Sequence, residues 1–167
     1  STIEIEAVVH PLGNREKGTI HFNDTAGSMA RDSVTNASSV VRMITGKNLS
    51  DYDVHVNVVG GGNIDGPSAG AAITCAIISA LTGKPLRQDI AVTGEISLSG
   101  RIKPVGGIAE KAFGAHQGGM KAILIPKQNA LDMGSEYMHM KVIPVDTIQD
   151  ILEHMLVRKK QKMKGSK

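Results

Sequence analysis

The sequence predicts an α+β fold, built as a single mixed domain of strands and helices. Short alternating or wholly apolar runs, typical of strands, are interspersed with longer runs in which apolar residues recur every three or four positions. Hydrophobic residues form 41% of the 167 residues and charged residues 21%, as in soluble globular domains. Aromatic residues form only 2%, so the core must be aliphatic, and nucleic-acid binding by aromatic stacking is not expected.

The first half of the chain alternates between strand and helix patterns. Alternation over Thr2–Val9 predicts a half-buried strand, and after a turn we expect Gly18–Asn23 to pair as a second strand. Apolar spacings of three and four predict a helix from Ser28 to about Thr45. A strand at Val54–Val59 then leads through three glycines to an apolar helix from Ser68 to about Leu81.

The second half continues the mixture. The dipeptide Ser99-Gly100 predicts a hairpin turn between the strands Ile90–Leu98 and Arg101–Val105. A helix should then run from Gly106 to about Gln117, where two glycines end it. Two short buried strands and a last amphipathic helix are predicted at Lys121–Pro126, Lys141–Val145 and Ile148–Val157.

Charge divides the chain into a body, residues 1–157, and a basic tail, residues 158–167. The tail holds six basic residues and no acid, so the body has a net formal charge of −3 although the whole chain has +3. We expect a solvated terminus, with a polyanion-docking arm as the alternative. Because the chain opens at Ser1 inside a strand-like run, we expect it to be part of a longer protein.

Several kinds of site are not expected. Cys75 is the only cysteine, which excludes an internal disulfide, and its apolar context predicts a small buried side chain. No H-E-x-x-H motif, Cys/His cluster or complete Walker A motif is present, so neither a metal nor ATP is expected in this chain. No signal peptide or membrane-spanning apolar run is visible. We expect a cytoplasmic protein, and a membrane tether upstream is left open.

The segment Asp65–Gly70, DGPSAG, follows a strand and glycines and precedes a helix. A nucleophile at Ser68 would there be exposed on a rigid support, close to backbone N–H groups that carry partial positive charge. The backbone around Gly66, Pro67 and Ala69 is the predicted oxyanion site. The motif alone fits a helix N-cap equally well, since serine is a favoured capping residue.

A serine nucleophile needs a base, and lysine is a stronger candidate here than histidine. None of the six histidines has a distinctive context, although His154 with Asp132 or Asp146 would match the Ser–Asp–His order of an α/β-hydrolase esterase. Lys111, in contrast, interrupts an apolar helical stripe and lies in the first turn of its helix. Desolvation and the helix dipole both favour the neutral amine that a general base requires. The alternative is a lysine that extends from the edge of the stripe to water.

Three segments resemble the proteolytic domain of the Lon family. They are DGPSAG, then TGEISLSGRIKPVGGIAEK, then GAHQGGMKAILIP, and the resemblance extends over Val54–Pro126. It implies that Ser68 is the nucleophile and Lys111 the general base. It also implies that Thr93 orients the lysine, although a β-branched strand residue is the alternative for this position. Asp65 could turn into the site and pair with the lysine in an inactive form.

The same resemblance implies an assembly and a substrate class. Lon subunits form six-membered rings that enclose the sites, act on unfolded or damaged proteins, and mostly carry an AAA+ module that would hold ATP and Mg²⁺. We expect peptide substrates, a homo-hexamer and no nucleic-acid partner for the body. The stretch VVGGGNIDGPSAG replaces a proline-containing one, which leaves the subfamily undetermined. A non-catalytic Lon-like assembly module is the alternative from another class, and it predicts loss of the serine or the lysine.

Overall fold

The computed structural model describes residues 4–13, 17–23, 27–59 and 66–157; for residues 27–32, 59, 66 and 67 it describes only the backbone. In chain order the elements are β1 (Glu4–Pro11), β2 (Ile20–Phe22), α1 (Gly27–Thr45), β3 (Tyr52–Val59), α2 (Gly70–Thr82), β4 (Ile90–Val92), β5 (Glu95–Ile96), β6 (Ile102–Lys103), α3 (Ile108–Gln117), β7 (Ala122–Pro126), β8 (Glu136–Tyr137), β9 (Met140–Val145) and α4 (Ile148–Met155). This mixture confirms the predicted α+β class.

The N-terminal sheet has the order β1-β3-β2, with β3 antiparallel to β1 and parallel to β2. The second strand, predicted over Gly18–Asn23, is present at Ile20–Phe22, and its partner is β3 and not β1. The turn residues before β2 predict a change of direction, but they do not specify which strand receives the returning chain. Because α1 connects β2 to β3, it provides the crossover that a parallel pair needs.

The second sheet has the order β4-β7-β9-β8, and β4, β7 and β9 are parallel. β7 is buried along its whole length, as expected for a central strand covered on both faces. The strand predicted over Ile90–Leu98 is interrupted at Thr93 and Gly94, so that β5 leaves this sheet and forms a hairpin with β6. This hairpin confirms the turn predicted at Ser99-Gly100.

The core is aliphatic, as the composition predicts. One cluster of buried side chains joins α2 to α1, the N-terminal sheet and α4, and another lies between α3 and β7. Cys75 belongs to the first cluster and is 1% exposed, which confirms its prediction as a small buried side chain. The basic tail lies outside the described residues. Among the described helices, none is both long and apolar enough to cross a membrane.

Candidate active site

Ser68 lies in a 3₁₀ turn, Gly66–Ala69, that leads directly into α2. The predicted helix start at Ser68 is thus a tighter turn, and the α-helix begins two residues later at Gly70. The N-cap is Ala69, whose side chain forms no capping hydrogen bond. Ser68 therefore lies one position before the N-cap of α2, and its side chain is half-buried.

The serine turn is fastened to Gly94 by a pair of backbone hydrogen bonds. The Gly94 N–H donates to the Ser68 carbonyl at 3.1 Å, and the Ala71 N–H donates to the Gly94 carbonyl at 3.1 Å. These bonds run in opposite directions between the same two segments, as in a short strand pair. They place Ser68 beside the residue that follows Thr93. An isolated glycine inside a strand pattern is the signal that could have identified this close approach in the sequence.

Thr93 directly follows the carboxyl end of β4. Its N–H donates to the Leu124 carbonyl at 3.1 Å, which extends the β4–β7 pairing by one position. Its side chain is only 6% exposed. Because the next residue is bonded to Ser68, a buried hydroxyl group is held at the sheet edge that receives the serine turn.

Lys111 lies in the first turn of α3, where its N–H donates to the Gly107 carbonyl at 3.1 Å. The predicted stripe is confirmed, because Ile108, Ala112 and Ala115 are buried against β7 while Lys111 is half-buried. Glu110, next to Lys111, is exposed, whereas Gly114 is buried.

The direction of α3 determines which sheet edge Lys111 approaches. The chain reverses after α3, with the Met120 N–H bonded to the Ala115 carbonyl at 3.1 Å, and then enters β7. Ile108, at the start of α3, and Ile125, near the end of β7, belong to one buried cluster. Together with the reversal of the chain, this places the first turn of α3 toward the carboxyl end of β7. The parallel pairing of β4 and β7 places Thr93 at the same edge. Lys111, Thr93 and Ser68 therefore approach one edge of the sheet from three different segments.

Two facts limit which backbone N–H groups near Ser68 could bind an oxyanion. Pro67 has no backbone N–H, so it cannot donate a hydrogen bond to an oxyanion. The N–H of Ala71 is already bonded to Gly94. Of the residues predicted for this role, Gly66 and Ala69 remain as donors. Asp65, predicted as a partner of the lysine, lies outside the described residues.

Cys75 and the described His, Asp and Glu side chains are the groups that a thiol nucleophile or a metal site would use. Burial raises the pKa of the Cys75 thiol to about 12, so the reactive thiolate does not form near neutral pH. Among the described side chains, no three His, Cys, Asp or Glu residues are grouped so that they could hold a metal ion. His10, His21 and His55 do lie together on the exposed face of the N-terminal sheet, where the rings of His21 and His55 stack at 4.6 Å.

The esterase alternative also disagrees with the fold. It requires a parallel sheet before the serine, whereas β1 and β3 are antiparallel there. His154, its predicted base, is half-buried in α4. The N-terminus of α4 is closed by a capping box between Thr147 and Asp150.

Comparisons with known proteins identify the family to which the chain is similar. The sequence model of the Lon protease (S16) C-terminal proteolytic domain matches residues 1–158. An archaeal Lon protease of Pyrococcus abyssi is 36% identical over 96% of this chain and 16% of its own length. Lon protease of Haemophilus influenzae is 40% identical over 90% of this chain and 19% of its own length. Lon protease 2 of Bacillus subtilis is 42% identical over 94% of this chain and 30% of its own length.

The family match over residues 1–158 includes the serine turn, the Thr93 segment and α3. The chain spans less than a third of the length of these curated relatives. The family match extends over nearly the whole chain. The chain therefore belongs to the Lon protease family, as its C-terminal proteolytic domain.

Proposed function

We propose that this chain is a serine endopeptidase domain in which Ser68 is the nucleophile and Lys111 the general base. The observation that carries the proposal is the pair of hydrogen bonds between the Ser68 turn and Gly94. They hold the serine at the sheet edge toward which the first turn of α3 presents Lys111. A general base must be in the neutral amine form, and both partial burial and the positive end of a helix dipole disfavour the charged form of a lysine.

The reaction is an acyl transfer in two steps. The Lys111 amine takes the Ser68 hydroxyl proton as Oγ bonds to the peptide carbonyl carbon. The C–N bond then breaks, the leaving amine takes the proton from Lys111, and an ester to Ser68 remains. Water attacks that ester, with Lys111 again accepting and returning the proton, which releases the carboxyl product and restores the serine. The N–H groups of Gly66 and Ala69 stabilise the oxyanion.

Thr93 supports the base in this scheme. A neutral amine has one lone pair, and that pair must point at the serine hydroxyl. A threonine hydroxyl both donates and accepts hydrogen bonds, so it can fix the orientation of the amine. The burial of Thr93 and its place next to Gly94 support this role.

The substrates that we propose are unfolded or damaged proteins, cleaved in the cytoplasm within a homo-hexameric ring. This part of the proposal rests on family membership. An AAA+ module, where the full-length protein has one, would bind ATP and Mg²⁺ outside this chain. A non-catalytic assembly role predicts loss of the serine or the lysine, and the sequence retains both.

Labelling by a fluorophosphonate and hydrolysis of casein, both in the full-length protein that contains this chain, test the dyad. Ser68→Ala should abolish labelling and slow hydrolysis roughly a thousandfold or more, and Lys111→Ala should have a comparable effect because the two groups act as one unit. His154→Ala is the control, and it should retain full activity. Persistent labelling in Ser68→Ala, or loss of activity in His154→Ala alone, would reject the dyad.

A further inference from the structure

Asn129 attaches the segment before α3 to the end of β7. Its side chain is 7% exposed, and both of its polar ends bind the same residue. Its Oδ1 accepts the Val105 N–H at 3.0 Å, and its Nδ2 donates to the Val105 carbonyl at 2.9 Å. One side-chain amide thus replaces a backbone strand partner for Val105. The pairing of Asn129 with Val105 could not be predicted from the sequence, because a lone asparagine in a polar stretch carries no periodic signal.

Val105 lies three residues before α3, so its attachment to Asn129 affects where that helix begins. Two residues later, Gly107 is the N-cap of α3 and forms no side-chain capping hydrogen bond. The carbonyl of Gly107 in turn accepts the Lys111 N–H at 3.1 Å. A Cβ placed on Gly106 would meet no atom within 4 Å, so packing does not confine this residue. The two hydrogen bonds between Asn129 and Val105, here called the clamp, therefore set where α3 begins in the absence of a side-chain cap.

The other end of the clamp is connected to the serine turn. Asn129 belongs to the 3₁₀ turn Lys127–Asp132, which directly follows Pro126 at the end of β7. Pro126 packs beside Gly94, since its Cγ lies 3.6 Å from the position of a Cβ built on that glycine. Gly94 is the residue bonded to the Ser68 carbonyl. Asn129 is therefore linked to the lysine helix on one side and to the serine turn on the other.

We propose that Asn129 is a positioning residue that sets the first turn of α3 relative to the serine turn, so that Lys111 reaches Ser68. Its two hydrogen bonds to Val105 would carry this effect to Gly107 and so to the first turn of α3. This inference rests on the proposed dyad. A displacement of about 1 Å between reacting groups can slow a reaction by roughly a hundredfold, so the effect should be large even where the fold survives.

The test measures the rate of Ser68 labelling by a fluorophosphonate between pH 5 and pH 9, in the full-length protein. Asn129→Ala removes both hydrogen bonds and should slow labelling roughly tenfold to a hundredfold at every pH. Asn129→Asp leaves a carboxylate facing the Val105 carbonyl, and at pH 8 it should be labelled as slowly as Asn129→Ala. A protonated carboxyl has one donor and one acceptor, like the amide. Because burial raises the pKa of a carboxyl group, the rate of this variant relative to the unmodified protein should rise as the pH falls toward 5. The relative rate of Asn129→Ala should stay low and constant.

Ser79→Ala is the matched control, because it removes a hydrogen bond to the Lys84 carbonyl at the opposite end of α2 from Ser68. Its labelling rate should equal that of the unmodified protein. The folded fraction of each variant is measured by denaturant unfolding under the assay conditions. The positioning role is rejected if both Asn129 variants label at the unmodified rate, or if their slowing equals the loss of folded protein. Labelling that survives Ser68→Ala would instead reject the dyad itself, so the two failures are distinguishable.

Discussion

Gly94 faces Ile102 so closely that a Cβ on the glycine would lie 2.5 Å from the Ile102 Cγ2 atom. Ile102 is itself buried, at the start of β6, and cannot withdraw without disturbing the hairpin with β5. We expect Gly94→Ala to destabilise the protein by about 1–3 kcal/mol, as overpacked cores do. Because Gly94 is bonded to the Ser68 carbonyl, the backbone shift should also slow peptide hydrolysis. Denaturant unfolding and casein hydrolysis measure the two effects.

Gly134→Ala provides the control for this substitution. The nearest atom to a Cβ at Gly134 is the Glu136 carbonyl oxygen at 4.0 Å, so the added methyl group fits. Its unfolding free energy should stay within about 0.5 kcal/mol of the original. Equal effects of the two substitutions would contradict the packing argument at Gly94.

Thr93 is expected to act through its hydroxyl group and not through its shape. Thr93→Val preserves the shape of the side chain but removes the hydroxyl, so hydrolysis at saturating substrate should slow on the order of tenfold, the equivalent of one hydrogen bond to a titrating group. Thr93→Ser keeps the hydroxyl and should restore most of the rate. The decisive measurement is kcat against KM for both variants, with unfolding curves alongside. A rate in Thr93→Val equal to that of the original protein would mean that the hydroxyl does not orient the lysine.

The helices were largely predictable, because each has a long apolar period that tertiary packing reinforces. The predicted helix from Ser28 to Thr45 and the observed α1 (Gly27–Thr45) differ by one residue at the start. Strand partners were less predictable, since alternation tells which face of a strand is buried but not which strand lies beside it. For this reason the pairing of β2 with β3 does not follow from the sequence of β2.

In the candidate site, too, features within one helix were predictable and contacts between distant segments were not. The half-buried position of Lys111 on an apolar stripe could be inferred from spacing alone. The roles of Gly94 and Asn129 could not, because they depend on contacts between segments far apart in sequence. Asn129 and Val105 are 24 residues apart, and no local pattern specifies their pairing.

Asp150 should make the stability of α4 depend on pH. Its carboxylate accepts the N–H groups of Asp146 and Thr147, each at 3.0 Å, and the first of these bonds is the main cause that lowers the pKa of the carboxyl. A lowered folded-state pKa stabilises the fold fully above the unfolded value of about 3.9, and this contribution is lost as the pH falls below it. Asp150→Ala should therefore cost about 1 kcal/mol at pH 7 and progressively less below about pH 4.

Urea unfolding at fixed ionic strength, from pH 7 down to pH 3, measures this difference between the two proteins. Asp150→Asn is the matched variant, because its amide oxygen can still accept one N–H but does not titrate. Its deficit should be smaller than that of Asp150→Ala. A deficit of Asp150→Ala that is independent of pH would show that the carboxylate charge contributes nothing to the cap.

The turn between β8 and β9 offers a site for stabilisation. Tyr137 pairs with Met140, so the connection consists of two residues, Met138 and His139, whose φ values are 47° and 69°. Positive φ at both positions is typical of a type I′ turn, for which Asn-Gly is the favoured dipeptide. Replacing Met138→Asn together with His139→Gly should therefore stabilise the protein by about 1 kcal/mol, because neither new residue is strained there.

Thermal and denaturant unfolding measure this change in stability. Leu131→Asn is the control, because Leu131 is 95% exposed and its replacement should alter stability little. A lower stability of the double variant would show that the strain is offset by contacts of the Met138 or His139 side chain.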